Sequence, residues 1–395
     1  MPTHTEAAAG TAPLVATLLD NAGIAAAAVA AWDAGEAILP LSCTAPRAEI
    51  DALLSDARPT HLIDAGGRHT RPDGVPVPAG TAAVIATSGT TGAPKLAELT
   101  HAGLEVMAGG YTRALEADAN DCWLACLPLY HVASLAIIAR AYATSIPHVV
   151  HATFDLDRVA HSHRVDGATM VSLVPTTLLR LLDARAPLHE FRRIIVGGAV
   201  LPPALRARAE QAGAHIADAY GLSETWGGCA INGVANAGVE LRLGASGEIL
   251  VRGAPVMRRY RFAPEATAEV LDAEGWFHTG DVGRSDGGRL EVVDRLKDLI
   301  ISGGVNVSPT EVEDVLLEHE GVADVCVVGA TDTEWGERVV AVIVPLDRRR
   351  PPTLAGLRAF ARDRLAPAKL PRELRVVGAI PRSASGKALR RELSP

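Results

Sequence analysis

The nine residues Thr87-Ser88-Gly89-Thr90-Thr91-Gly92-Ala93-Pro94-Lys95 gather four hydroxyls, two glycines and one lysine directly after a β-branched run at 82–87. Glycines let backbone N–H groups approach a polyphosphate, hydroxyls add donors, and the lysine supplies a mobile cation. The composition predicts a phosphate loop. It does not fit GxxxxGK[ST], because Pro94 precedes Lys95 and no hydroxyl follows, so a P-loop kinase or ATPase is disfavoured. Read alone, the segment also fits an ordinary Gly/Thr turn.

Four more segments follow in order: Tyr220-Gly221-Leu222-Ser223-Glu224; Gly275-Trp276-Phe277-His278-Thr279-Gly280-Asp281; Asp294-Arg295-Leu296-Lys297-Asp298 running into Ser302-Gly303-Gly304; and Ser385-Gly386-Lys387. Together with the loop, these segments resemble the adenylate-forming superfamily of acyl-CoA synthetases, adenylation domains and luciferases, from about residue 80 onward. The resemblance implies an α/β chain with the adenylate-forming enzyme fold. A large N-terminal domain of β-sheets layered with helices (1–296) would precede a small mobile α+β lid (298–395), hinged at Lys297.

Carried over residue by residue, the resemblance makes Thr87, Ser88, Gly89, Thr90, Thr91, Gly92 and Lys95 the pyrophosphate side of an ATP site. Tyr220 would stack on adenine beside Gly198 and Ala199, with Gly221 and Ser223 in the same turn. Glu224 would hold Mg²⁺, since a hard cation bridging phosphate oxygens needs an anionic oxygen ligand. Asp281 and Arg295 would take the ribose hydroxyls, a carboxylate being able to accept from both hydroxyls of a vicinal diol. Alone, Asp281 reads as a turn cap and Lys387 as a solvated lysine. In the family, the equivalent lysine stabilises negative charge between the carboxylate and the α-phosphate as the acyl-adenylate forms. Rotation about Lys297 would then withdraw Lys387 and bring Ser302, Gly303 and Gly304 to a thiol channel.

Such chemistry needs no enzyme nucleophile. A carboxylate is a poor acyl donor, so ATP converts it to a mixed anhydride with AMP, which a thiol then displaces. The five cysteines are an odd, sparse set without CxxC and read as reduced, structural thiols. ATP, Mg²⁺ and coenzyme A are the implied cofactor and co-substrates, and a small carboxylic acid is the substrate.

The acid is read from the middle of the chain. Leu127-Pro128-Leu129-Tyr130-His131 resembles the acyl-CoA synthetase form of a motif whose His borders the acyl pocket, which makes His131 a catalytic gate or, alternatively, a core histidine. Asp155 enters a helix rather than marking an amino-acid pocket. The runs at 172–182, 196–203 and 220–234 are similar to the compact o-succinylbenzoate–CoA ligases of menaquinone biosynthesis. A dicarboxylate needs a partner for its second carboxylate, and Arg180 with Ser172 is the expected pair, a surface helical arginine being the plainer reading. Gly227 and Gly228 would leave room for the acyl group, and Trp226 would either wall it or pack in the core. A ligase for another aryl or short-chain acid, or a degenerate nucleotide-binding protein, remains as the alternative.

These residues need elements to hold them. Strands are predicted at 82–87, 193–197, 247–252, 289–294, 324–329 and 338–344, with helical patterns between some of them. Ser308-Pro309-Thr310-Glu311 predicts a helix start with a capping box, ending towards Gly321. A net charge of −8 without a Lys/Arg stripe argues against nucleic acid. The longest apolar run, Ala22 to Trp32, falls short of the ~18–20 residues that span a bilayer. The first residues do not resemble a secretory signal, so a cytoplasmic chain is expected, as monomer or homodimer. Two departures from the family stand out: few residues precede the phosphate loop, and Leu96 replaces the usual glycine after the lysine, where it would crowd backbone approach to phosphate.

Overall fold

The predicted strands appear as Thr81–Thr87, Arg193–Gly197, Glu248–Gly253, Arg289–Arg295, Val322–Asp332 and Gly336–Pro345 in a computed structural model, which describes residues 10–87, 94–244, 246–382 and 388–394. The chain is mixed α/β and forms two compact units. The first comprises Met1–Leu201, Leu205–Arg242 and Leu250–Thr279; the second comprises Pro202–Ala204, Leu243–Ile249 and Gly280–Pro395.

The first unit holds two seven-stranded sheets. One runs in the order Arg259–Tyr260, Lys95–Thr100, Thr81–Thr87, Ala37–Pro40, Leu14–Thr17, His61–Asp64, Gly67–Thr70. The other begins with five parallel strands, His148–Val150, Trp123–Ala125, Met170–Leu173, Arg193–Gly197 and Ile216–Tyr220. Parallel strands of this kind are buried on both faces and offer their carboxyl ends to ligands. Helix Asn21–Asp33 carries the Ala-rich run; Asp20 caps it, and Ala25 and Ala28 are buried. Its Asn21 amide donates to the carbonyls of Leu127 and His151, and its Oδ1 accepts from Leu129 N–H at 2.9 Å. One buried amide thus fastens the segment leading to His131.

The second unit packs helices Pro309–Leu317 and Leu354–Ala361 on a sheet built around the long hairpin Val322–Asp332/Gly336–Pro345. Ile300, Val312, Leu316, Val325 and Leu357 lie in its core. The capping box is half realised. Ser308 accepts from Glu311 N–H at 3.2 Å, but the Glu311 carboxylate is taken by Lys369 at 2.6 Å, a stronger charge-assisted partner than a backbone amide. Buried Asp294 joins the cap instead, accepting from Ser308 Oγ at 2.7 Å and Thr310 N–H at 3.0 Å. Among the described residues, no helix is long and apolar enough to cross a membrane.

Candidate active site

Thr87 and Lys95 face each other as a register pair at the end of an antiparallel hairpin, so the two ends of the segment predicted to be a phosphate loop are fixed across one ladder step. Ser88, Gly89, Thr90, Thr91 and Gly92 lie outside the described residues. Lys95 Nζ sits 5.0 Å from the centroid of the Tyr260 ring, and Tyr260 donates its hydroxyl hydrogen to Glu224 Oε1 at 2.7 Å. A cation and a carboxylate are therefore held on one tyrosine. Alternation along the strand sends the next side chain, Leu96, to the other face. There it is buried with Leu14, Leu39 and Val84, a burial that contributes roughly 2 kcal/mol. The expected crowding by Leu96 is corrected: its side chain belongs to the core.

Gly198 and Tyr220 stand at the carboxyl ends of adjacent parallel strands, which pair Gly197 with Ala219. Gly198 has φ +79°, a left-handed turn that carries the chain out of the sheet towards Ala199. Beyond Tyr220 the chain folds back on itself. A Cβ on Gly221 would lie 2.2 Å from the Gly227 carbonyl carbon, so only glycine closes this loop. A Cβ on Gly228 would lie 2.8 Å from Tyr111 Cε2, so its absence lets the Tyr111 ring approach. Tyr111 then donates to Gly227 O at 2.9 Å. Ser223 and Glu224 form a short 3-10 turn between these glycines, and Met257 N–H binds the Glu224 carbonyl at 2.6 Å. Trp226 adopts φ +53°, uncommon for a bulky residue, and is wholly buried with its indole N–H on Thr100 O at 3.1 Å. The expectation that it walls the acyl group is corrected, because the ring is an interior packing element that holds the turn.

His131 is the exposed N-cap residue of helix Val132–Thr144, with its ring 4.6 Å from that of Tyr130. Asp155 caps the next helix by accepting from Arg158 N–H at 2.8 Å, so its carboxylate is occupied by the cap. Ser172 is half-buried on a central strand, but Arg180 is not its partner. Arg180 is exposed and lies over the Phe154 ring at 5.1 Å, because its helix buries Leu178, Leu181 and Leu182 instead. The expected Ser172/Arg180 pair is corrected: the guanidinium that reaches Ser172 Oγ, at 3.4 Å, belongs to Arg140.

Arg140 was not foreseen from the sequence. It is buried, and its guanidinium lies 4.4 Å from the centroids of both the Tyr111 and the Trp123 rings. Among the described residues no carboxylate pairs with it, and its Nε has no acceptor. Burial lowers its pKa to about 10, still well above neutrality, and raises that of Tyr111. Each desolvated cation–π contact contributes about 2 kcal/mol, against a cost of several for burying the charge.

In the second unit, Asp281 and Arg295 are opposite residues of one hairpin, and the Arg295 Nε lies 2.6 Å from Asp281 Oδ1. Gly280, at φ +68°, turns the chain into Asp281 while its N–H donates to Glu248 Oε1 at 2.9 Å. Ser302 is buried, and Gly303 and Gly304, both at positive φ, make a two-residue turn pairing Ser302 with Val305. A Cβ on Gly303 would come within 2.8 Å of the Trp335 ring. Lys297 is exposed in a 3-10 turn, Leu296–Asp298. Lys387 lies outside the described residues; three positions on, Arg390 pairs with Glu313 and donates to Val327 O at 3.1 Å.

Among the described residues no group of three or more His, Cys, Asp or Glu side chains could hold a metal ion. A lone carboxylate such as Glu224 nevertheless fits Mg²⁺, which keeps its waters and takes the remaining oxygens from substrate phosphates. Burial pushes the Cys126 thiol up to about 12 and that of Cys326 up to about 11, so neither is a thiolate nucleophile at neutral pH.

Residues 65–261 match a family model described as AMP-binding enzyme, and residues 311–387 match one described as AMP-binding enzyme C-terminal domain. A Mycobacterium tuberculosis protein named "Probable 2-succinylbenzoate--CoA ligase" is 39% identical over 325 residues, covering 79% of this chain and 83% of the relative. A Geobacillus kaustophilus 2-succinylbenzoate--CoA ligase is 36% identical over 338 residues, covering 79% of this chain and 68% of the relative. Among solved structures, o-succinylbenzoate CoA synthetase (MenE) from Bacillus subtilis in complex with the acyl-adenylate intermediate OSB-AMP matches with a TM-score of 0.85 at 29% identity, covering 97% of this chain and 88% of that one. ATP-bound MatB from Rhodopseudomonas palustris matches with the same TM-score and coverage at 25% identity.

Proposed function

The chain belongs to the AMP-binding enzyme family, and from that premise we propose that it is an AMP-forming acid–CoA ligase whose acid is o-succinylbenzoate. The observation that carries the reading is the chain Lys95–Tyr260–Glu224 beside the phosphate-loop hairpin. It offers a cation to a polyphosphate and a carboxylate to the divalent ion that accompanies it. The choice of acid is supported by the relatives named 2-succinylbenzoate--CoA ligase and by the likeness to a synthetase holding OSB-AMP.

In this reading, Thr87, Lys95 and the residues from Ser88 to Gly92 bind the ATP phosphates, and Tyr220 stacks on adenine beside Gly198, Ala199, Gly221 and Ser223. Asp281 and Arg295 take the ribose hydroxyls. Glu224 would hold Mg²⁺, which would supply positive charge to offset that of the phosphates. A carboxylate oxygen of the acid attacks the α-phosphorus, pyrophosphate leaves, and Lys387 stabilises the charge that develops. The coenzyme A thiol, losing its proton, then attacks the acyl carbon and AMP departs with the oxygen it had gained. His131 borders the acyl group beside Gly227 and Gly228. Lys297 is the hinge between 1–296 and 298–395, and Ser302, Gly303 and Gly304 serve the thiol step. A chain using ATP and coenzyme A works where both are kept, in the cytoplasm.

The test is a panel of acids supplied with ATP, Mg²⁺ and coenzyme A, with AMP measured and thioesters weighed by mass spectrometry. The expected result is o-succinylbenzoyl-CoA with AMP and pyrophosphate in equal amounts. Turnover of a different acid, with o-succinylbenzoate inert, would remove the acid and keep the ligase. Release of ADP would remove both.

A further inference from the structure

Strand Arg259–Tyr260 is two residues long and lies at the end of its sheet, beside Lys95–Thr100. So short a ladder fixes its place weakly, and a slip of one residue would exchange its two faces. Side chains alternate along it: Tyr260 points towards Lys95 and Glu224, while Arg259 and Arg261 point the other way. Both of these guanidiniums close on one carboxylate. Arg259 Nε donates to Glu98 Oε2 at 2.9 Å, and Arg261 Nη1 donates to Glu98 Oε1 at 3.1 Å. The register pairs Arg259 with Glu98 and Tyr260 with Ala97, so Glu98 and Lys95 stand on opposite faces of their own strand. Arg261 is tied further: its Nε donates to Ala57 O at 2.8 Å, its Nη1 to Pro76 O at 3.4 Å, and its Nη2 to Val75 O.

Glu98 is wholly buried. A buried carboxylate is a poor choice for stability alone, because desolvating the charges offsets most of their attraction and an apolar side chain would pack as well. What the charges supply here is register. Two guanidiniums, two positions apart, must both reach one carboxylate. A slip of one residue would leave Glu98 buried without them and send the Tyr260 ring to the face where Arg259 and Arg261 now lie.

We propose that Glu98 is a positioning residue: by holding Arg259 and Arg261 on one face of the strand, it aims the phenol of Tyr260 at Glu224 on the other. The inference rests on the reading of Glu224 as the protein ligand of Mg²⁺ in an acid–CoA ligase. The Glu98 carboxylate is occupied by the two arginines, so its effect passes through the hydrogen bond from the Tyr260 hydroxyl to Glu224 Oε1 at 2.7 Å.

The experiment measures ATP binding by calorimetry with no acid present, once with Mg²⁺ and once with EDTA. The ratio of the two dissociation constants reads the contribution of the metal without any turnover. Glu98→Gln keeps the side-chain volume but turns an amide NH₂ towards one guanidinium, so the ratio should fall roughly three- to tenfold, as for part of a hydrogen bond to a charged group. In a Tyr260→Phe background that hydrogen bond is already absent, and Glu98→Gln should change the ratio by less than about twofold. An unchanged ratio in Glu98→Gln, or a fall of equal size in both backgrounds, overturns the inference and leaves the ligase reading intact. If Glu98→Gln does not fold, judged by its melting temperature, Arg259→Met takes its place in the same cycle. Arg259 is half-exposed, and its loss leaves the Arg261–Glu98 pair standing. The same two outcomes overturn the inference there, and Arg259→Lys should recover part of the ratio. Glu224→Gln is the control. A ratio unchanged in that variant removes the metal role of Glu224 and the inference with it, whereas a ratio lowered there but unmoved by Glu98→Gln removes the inference alone.

Discussion

Tyr260 donates its hydroxyl hydrogen to Glu224 Oε1 at 2.7 Å while the ring beneath that hydroxyl lies 5.0 Å from Lys95 Nζ. The phenol fixes one carboxylate oxygen of Glu224; in the proposed reading the other is the one offered to Mg²⁺. The ring face holds the lysine at the hairpin end where Thr87 pairs with Lys95. Both charges are thereby positioned by one side chain that carries no charge itself.

Replacing Tyr260 by Phe keeps the face under Lys95 and deletes the donor to Glu224. A hydrogen bond to a charged group is worth about 1.5–3 kcal/mol, so kcat/KM for ATP should fall roughly 10- to 100-fold. The loss should be largest at low Mg²⁺ and partly recovered at high Mg²⁺, since the variant frees the carboxylate to rotate rather than removing it. A magnesium titration of pyrophosphate release checks this. A magnesium dependence identical to the wild type would mean that the phenol does not orient Glu224.

The strands and the ordered motifs were legible because each is written in consecutive residues: β-branched runs, glycine-rich turns and a Ser-Pro helix start. The contacts that connect them were not. Glu224 and Tyr260 are 36 positions apart, Arg140 and Ser172 are 32, and Glu311 and Lys369 are 58. No periodicity links such pairs, because the fold alone brings them together. Arg140 sits within the unbroken buried run Ser134 to Ala141 of its helix, where sequence reading sees a hydrophobic run interrupted by one charge. Arg180 offers a cation close to Ser172 in sequence, yet the strand and the following helix send the two side chains to different surroundings.

Arg295 Nε lies 2.6 Å from Asp281 Oδ1, and in the proposed reading this carboxylate takes the ribose hydroxyls. Asp281→Asn retains the shape but offers one acceptor oxygen where the carboxylate offers two. The expected outcome is a rise in KM for ATP of about 10-fold or more. The preference for ATP over 2′-deoxy-ATP and 3′-deoxy-ATP should shrink in the same variant. Retained discrimination against both deoxynucleotides would take the ribose role away from Asp281.

Asp314 tests the electrostatics of the second unit. Burial, then the nearby charges of Glu313, Glu318 and Asp294, raises its carboxyl pKa to about 6 from an ordinary 3.8. A carboxyl whose folded pKa lies above its unfolded value binds more protons in the folded state between those two values. Stability from this group is therefore present below about pH 4 and is lost as pH rises through about 6. Asp314→Asn removes the buried charge, so it should stabilise the protein at pH 7.5 and give little or no gain at pH 4. Urea denaturation at the two pH values measures the difference. A gain independent of pH would assign the effect to packing instead.

Lys387 separates the two half-reactions. If it stabilises the charge that develops at the α-phosphate, Lys387→Ala should slow acyl-adenylate formation by about 100-fold or more. Thioester formation from supplied acyl-adenylate should survive, because in the proposed cycle rotation about Lys297 withdraws the lysine before the thiol attacks. Arg390 binds Glu313 and the Val327 carbonyl three positions further on, an anchor that the substitution leaves in place. Single-turnover measurements of AMP anhydride formation and of thioester formation, each in the variant and the wild type, separate the steps. Equal loss in both would place Lys387 in a single conformation that serves the whole reaction, and the hinge at Lys297 would have no part in it.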